Sequence, residues 1–536
     1  MNWLDYVIIV VYLGGFLGLG YFFKDNKSSK DYFLGGRNVG WFPLSLSVMA
    51  TQLSAISFIS APAFVGLRPG GGLSWLTFEF AVPIAMILVA VVIVPPLYKS
   101  GVVSIYEYLE RRFDASSRLL ISFVFQISRS FGTGVMVYAV ALILQSVLNI
   151  QFWQTIVIIG AITLIYSFQG GMRAVVYGDM IQMIILFVGI LVSLGFGLYA
   201  IGGWHQFITH VDMSRLQAVN FSKMGFHNDG FGFWPMLVGG LFLYTSYYGT
   251  DQTQMQRMLS AKDTGTIRKL LTVNGLFRFP VTFVYSFMGL ILGTLYFMDP
   301  SYQAALHQIF LTHSASLKNS TDLLVPVFII KYLPNGVIGL LLVAILSAAM
   351  SSLSSTINSL SAVTVEDFIK RFKTMNDRQY VKVSRFVSLF WGVVCILFAF
   401  AVGGIADTVI EAINKIGSVF YGPVLAAFLL AILSKRTHAF GVNIGIVTGV
   451  LVNVVLWLFV PELFWFWWNA IGTVVTVGVA VSLSALIPKG YHKELLHVDK
   501  FRWKTRENLI LVTFFVVRLF TALFLLSAFA IFLIFS

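Results

Sequence analysis

Runs of apolar residues longer than a bilayer is thick constrain this chain more than any other feature. The segments 175–202 and 508–535 exceed the roughly 20 residues that carry a helix across a hydrocarbon core. Fourteen such runs recur, near 3–23, 41–66, 73–98, 118–148, 152–169, 175–202, 230–258, 270–298, 336–366, 383–404, 406–434, 438–460, 463–487 and 508–535. Lipid offers no water to a backbone N–H or C=O, so each run has to satisfy these groups within itself, as a helix. The sequence therefore predicts an all-α integral membrane protein with about 14 transmembrane helices. Of the 536 residues 58% are hydrophobic and 11% charged, too little charge to cover a soluble body of this size. The first run has no basic segment before it and no small-residue cleavage site, so it reads as a retained helix.

A net charge of +13 raises the question of nucleic acid, and its distribution answers it. Loops after odd-numbered runs hold 27 of the 36 Lys and Arg, at 24–37, 99–118, 257–269, 370–385 and 489–506 above all. Loops after even-numbered runs hold five: Arg68, Arg215, Lys223, Lys318 and Lys331. This is the positive-inside pattern. It predicts basic loops in the cytoplasm, both termini outside, and a plasma or inner membrane location with the bilayer as partner and no nucleic acid. Cys395 is the one cysteine, so no disulfide or cysteine metal site forms within the chain. No nucleophile–His pair, phosphate loop or metal-spaced His cluster points to an enzyme. No obligate protein partner is evident.

Two runs are interrupted at matching places. The second carries "TQLSAISFIS" and Pro62; the seventh, five runs later, carries "YTSYYGTDQTQ". Polar, helix-poor stretches in register in two halves point to an inverted-repeat transporter whose broken helices meet at the substrate site. A third feature is "AAMSSLSSTINS" at 348–359. On a helix Ser347, Ser351, Ser354, Ser355 and Asn358 share one stripe, flanked by Ala348 and Ser352. Small residues serve close helix packing. They also supply neutral oxygens, and a hydroxyl stripe facing carbonyls freed by a broken helix suits a hard monovalent cation. Asp179, just inside an apolar run, is costly there and points to function or to a snorkelling end.

The segments "DYFLGGR" at 31–37, "YEYLERRF" at 106–113, "GGMRAVVYGDMIQ" at 170–182, "DQTQMQRMLSAKD" at 251–263 and the serine stretch resemble the sodium/solute symporters, from the first run to at least residue 435. The resemblance implies the five-helix inverted repeat of the leucine-transporter type, with repeats at about 41–202 and 230–434 and accessory helices at 3–23 and 438–535. It implies sodium as coupling ion, at two sites. The first would use carbonyls of Ala50, Leu53 and Ala348 with the hydroxyls of Ser351 and Ser352. The second would use Asp179 with Ser351, Ser354 and Ser355.

For the solute, alignment with a galactose transporter of this family points to Ser57, Glu79, Asp251, Arg278 and Asn414. Two acids, a base and an amide suit a hydroxyl-rich ligand, because carboxylates accept and guanidinium donates. Sodium-coupled import of a sugar or polyol is the main expectation. The alternative is an organic anion, sialic acid or a monocarboxylate, favoured by Ser54 and Ser57 in the first break. In the sialic acid transporter's pattern the carboxylate-binding Arg falls on Gly132, with Arg129 one helical turn upstream, while Glu79 in the pocket would repel a carboxylate. Glu79 and Arg278 can also pair with other buried groups. A channel or solute sensor on the same fold is the reading from another class. Phe58, Tyr247 and Tyr248 are candidate gates, and Arg68 near the outer mouth carries no assigned role.

Overall fold

The computed structural model describes residues 1–24, 28–148, 150–312, 320–401 and 408–486. Among the described residues ten helices are long and apolar enough to cross a membrane, eleven when one bent pair counts as a single span. The chain runs through α1 (Trp3–Phe22), α2 (Trp41–Gln52), α3 (Ala55–Gly66), α4 (Leu73–Lys99), α5 (Ala115–Leu148), α6 (Phe152–Ile201), α7 (Phe233–Gly249), α8 (Gln252–Leu259), α9 (Thr264–Met298), α10 (Val337–Val363), α11 (Asp377–Ala401), α12 (Val409–Leu433), α13 (Ala439–Phe459) and α14 (Phe466–Leu486). Within α6 the backbone turns at Gly171 (φ 56°, ψ −152°), which divides the expected fifth and sixth spans. The first thirteen apolar runs all carry helix, in shorter pieces at 152–169 and 230–258. The fourteenth, 508–535, and the basic stretch 489–506 lie outside the described residues.

Both interruptions are present, and each is made by a short polar residue. Helix α2 stops at Gln52; Leu53 (φ −81°, ψ 74°) leaves helical geometry, and the extended Ser54 caps α3 by accepting from the Ile56 amide. The two halves are bent by 53°. Pro62 lies inside α3 and does not end it: proline removes one hydrogen bond, and the helix continues to Gly66. In the second break α7 ends at Gly249, and Asp251 caps α8 by accepting from the Thr253 amide at 2.8 Å. Ser, Thr, Asp and Asn are the residues that restart helices in this way. The residues flanking the two broken helices touch, the Val39 amide donating to the Ser260 carbonyl at 3.2 Å.

Serine helix α10 is buried along nearly its whole length and packs against α6, α5, α2 and α3. Helix α1 docks on its start, the buried Asp5 carboxylate accepting from the Gly336 and Gly339 amides at 2.7 and 2.8 Å. Helices α3 and α9 approach so closely that no side chain separates them. A Cβ at Gly66 would lie 2.2 Å from the Gly289 carbonyl oxygen, and one at Gly289 would lie 2.5 Å from that of Pro62. Gly289→Ala is therefore expected to destabilise the protein by about 1–3 kcal/mol, as overpacking of a tight core does. Gly14→Ala, whose Cβ would meet nothing within 4 Å, should change nothing. Thermal unfolding of the two variants in detergent checks the contrast.

Candidate functional site

A cavity of about 120 Å³ lies where the two breaks meet. Thr51, Gln52, Ser54 and Ser57 line it from the first broken helix, and Tyr244, Tyr247 and Thr253 from the second. Arg129 and Thr133 come from α5, Arg278 from α9, Ser352 and Thr356 from α10, and Asn414 and Tyr421 from α12. Five of the seven expected solute residues thus line one space: Ser54, Ser57, Arg129, Arg278 and Asn414.

Glu79 and Asp251 do not line it, contrary to the expectation that they face the solute. Asp251 caps α8 with one oxygen and accepts from Arg129 Nε with the other, at 2.5 Å. Glu79, 1% exposed, accepts from Tyr244 Oη at 3.0 Å and from Arg278 Nε at 3.2 Å. The physical reason is the cost of a buried charge: each acid has been taken by the nearest guanidinium. Both arginines, by contrast, border the cavity, and each keeps a buried nitrogen without a partner, Nη2 of Arg129 and Nη1 of Arg278. The Arg129 guanidinium also lies 4.9 Å from the Tyr247 ring centre, a cation–π contact that holds it in place. Tyr248 points elsewhere, donating to Gln52, and Phe58 is fully buried in the core.

At the break the chain offers a second kind of ligand. Among the described residues no backbone N–H donates to the carbonyl of Ala50 or of Leu53, because the helix ends before the amides that would pair with them. Both residues are buried. Ser352, across from them on α10, lines the cavity and donates to its own helix at Ala348, at 3.3 Å. These freed carbonyls and this hydroxyl have the chemistry of a site for a hard cation.

Asp179 is fully buried and held by four donors. Ser351 reaches Oδ1 at 2.7 Å; Ser47 at 2.6 Å, Arg257 at 2.7 Å and Ser355 at 3.5 Å reach Oδ2. Ser354 donates instead to the Ser351 carbonyl of its own helix. Arg257 is 1% exposed and also donates to Ser47 Oγ, the Thr253 carbonyl and Ser355 Oγ. Ser47 and Arg257 were not legible as site residues. Arg257 adjoins Lys262, Arg268 and Lys269 and reads as part of a basic loop; the signal that separates it is its place one helical turn after Thr253 in α8, every residue of which is buried. A fourth pair joins the end of α3 to the start of α12: Arg68, given no role above, donates to Glu411 through Nε and Nη2, at 2.9 and 2.8 Å.

Comparison with known proteins agrees with this architecture. The family model described as "Sodium:solute symporter family" matches residues 32–449. Sodium-coupled monocarboxylate transporter 2 of Danio rerio is 32% identical over 83% of this chain and 70% of its own length. The human sodium/iodide cotransporter is 30% identical over 84% of this chain and 68% of its own. Among solved structures, a sodium-coupled sialic acid symporter in a substrate-bound, outward-open state superposes with a TM-score of 0.77, covering 91% of this chain and 98% of that one at 24% identity, which fixes the all-α, leucine-transporter-type fold. Matched over most of its length in sequence and in fold, the chain belongs to the sodium:solute symporter family, a multi-pass membrane transporter coupled to sodium.

Proposed function

We propose that this symporter imports a small organic anion, with Arg129 as the anchor of its carboxylate. The observation that carries the reading is the direction of the charges. Both arginines border the cavity and each has one buried nitrogen without a partner, whereas neither of the acids that pair with them lines it. A guanidinium held by a carboxylate on one edge and open on the other is a preorganised receptor for a second carboxylate. The sugar or polyol reading rested on Glu79 and Asp251 facing the solute, and with both turned away the argument for it lapses. The relatives are named for monocarboxylates and for iodide, both anions, which supports the same choice.

One sodium binds the carbonyls of Ala50, Leu53 and Ala348 and the hydroxyls of Ser351 and Ser352, holding the first broken helix to α10 in the form that admits solute. A second sodium uses Oδ1 of Asp179, which has Ser351 as its single donor, with Ser351, Ser354 and Ser355; Arg257 keeps Oδ2. Because Arg257 already cancels the carboxylate's charge, this is the weaker of the two sites. Repeats at 41–202 and 230–434 would put the two breaks at equivalent positions, and the basic loops support a topology with both termini outside the cytoplasm in a plasma or inner membrane.

The test is uptake of radiolabelled short carboxylates and sugars into proteoliposomes. An inward sodium gradient should drive carboxylate uptake, and collapse of a proton gradient should leave it unchanged. Equal uptake with choline in place of sodium would sink the symporter reading in favour of a channel. Uptake of sugars but not of carboxylates would return the main role to a neutral solute.

A further inference from the structure

We propose that Arg278 is a second anchor in the same cavity, so that the preferred solute is a small carboxylate bearing an uncharged acceptor oxygen at the end opposite its carboxylate. This rests on the anion reading above and adds to it the far end of the ligand. Arg278 borders the cavity from α9, whereas Arg129 borders it from α5, so the two guanidiniums address a ligand from different helices. The Arg278 side chain is 4% exposed, its Nε is committed to Glu79, and its Nη1 is buried with no partner. A buried N–H left unpaired is costly, and a ligand oxygen that fills it is favoured over a methyl group of the same size.

The charge of that oxygen follows from the pairs. Glu79 already neutralises Arg278, as Asp251 neutralises Arg129. A sodium bound beside Ser352, on the cavity wall, would balance one carboxylate, and the second proposed sodium would lie at Asp179, which does not line the cavity. A second carboxylate would enter a buried site with no cation left to meet it. Size points the same way: a cavity of about 120 Å³ suits a small solute. Trp75, Phe78 and Tyr244 line the wall beside Arg278 and suit the carbon chain between the two ends.

Four acids of equal size test this: 4-oxopentanoate, its isostere 4-methylpentanoate, the isomer 2-oxopentanoate and the dianion succinate. KM is measured for each, radiolabelled, in proteoliposomes under an inward sodium gradient. The KM for 4-oxopentanoate should be lower than that for 4-methylpentanoate by about tenfold or more, the scale of a hydrogen bond to a charged donor. It should also be lower than the KM of the other two. Arg278→Lys, which keeps a cation beside Glu79 but moves the donor, should bring the ratio of the two KM values near one. If that variant fails to fold, the neutral pair Glu79→Gln/Arg278→Met serves in its place. Equal KM for 4-oxopentanoate and 4-methylpentanoate, or preference for 2-oxopentanoate or succinate, overturns the second anchor and leaves the anion reading standing. Uptake of none of the four overturns both.

Discussion

Arg129→Gln is expected to raise the KM for carboxylate uptake by about 30-fold to several thousandfold, the range that follows from truncating one partner of a buried, hydrogen-bonded charge pair. The variant loses the donor that meets the solute and also leaves Asp251 without its cation. These effects separate in Arg129→Gln/Asp251→Asn, where no charge is stranded. The double variant should recover folded protein and still fail to take up carboxylate. Sodium should continue to stabilise it against heat, because the first proposed sodium site, at Ala50, Leu53, Ala348, Ser351 and Ser352, uses no atom of α5. If the double variant transports with a KM within threefold of wild type, Arg129 is a structural residue and the carboxylate is bound elsewhere.

The membrane potential gives the second large effect. Two sodium ions entering with one monoanion carry one net positive charge inward; one sodium with one monoanion carries none. A potential of 100 mV acts on one charge with about 2.3 kcal/mol. A tenfold sodium gradient adds about 1.4 kcal/mol per ion. With two ions the limit of accumulation is several thousandfold, and clamping the potential to zero with potassium and valinomycin should lower it by roughly 50-fold. With one ion the limit is about tenfold at any potential. Wild type should show the potential dependence and a sodium Hill coefficient above one. Asp179→Asn should lose both. It should also cost folding stability on the scale of about 3–5 kcal/mol, because the buried Arg257 then has no counter-ion. Asp179→Asn/Arg257→Gln should restore the fold without restoring the potential dependence. Potential-independent accumulation in the wild type would leave Asp179 and Arg257 as a purely structural pair.

What the sequence disclosed and what it withheld divide along a physical line. Helices were legible because each is fixed by its own apolar run, and the breaks because Ser54 and Asp251 are local cap residues. The serine stripe was legible because it follows helical periodicity. The sign of the cavity was not. It depends on which way Glu79 and Asp251 point, and that is decided by Arg278, 199 residues away from Glu79, and by Arg129, 122 residues away from Asp251. Alignment put both acids in the pocket, where they would repel an anion; in the structure each is paired with an arginine and neither lines the cavity. Arg257 was hidden for a related reason, since a charge adjoining a basic loop looks solvated until its whole helix is seen to be buried.

The glycine seam between α3 and α9 limits how this molecule can move. Gly66 and Gly289 put backbone against backbone, with no side chains that could exchange places if one helix slid past the other. Any displacement of α3 would therefore carry α9 with it as one lever, with the non-helical joint at Leu53 and Ser54 as its fulcrum. Ser57 rides on this lever through α3 and Arg278 through α9, while Arg129 is seated on α5, among α10, α11 and α12. A solute gripped at one end by Arg129 and at the other by Arg278 would be a clasp between lever and frame. In that arrangement the cargo itself joins the moving parts, and an empty carrier and a loaded one swing with different mechanics.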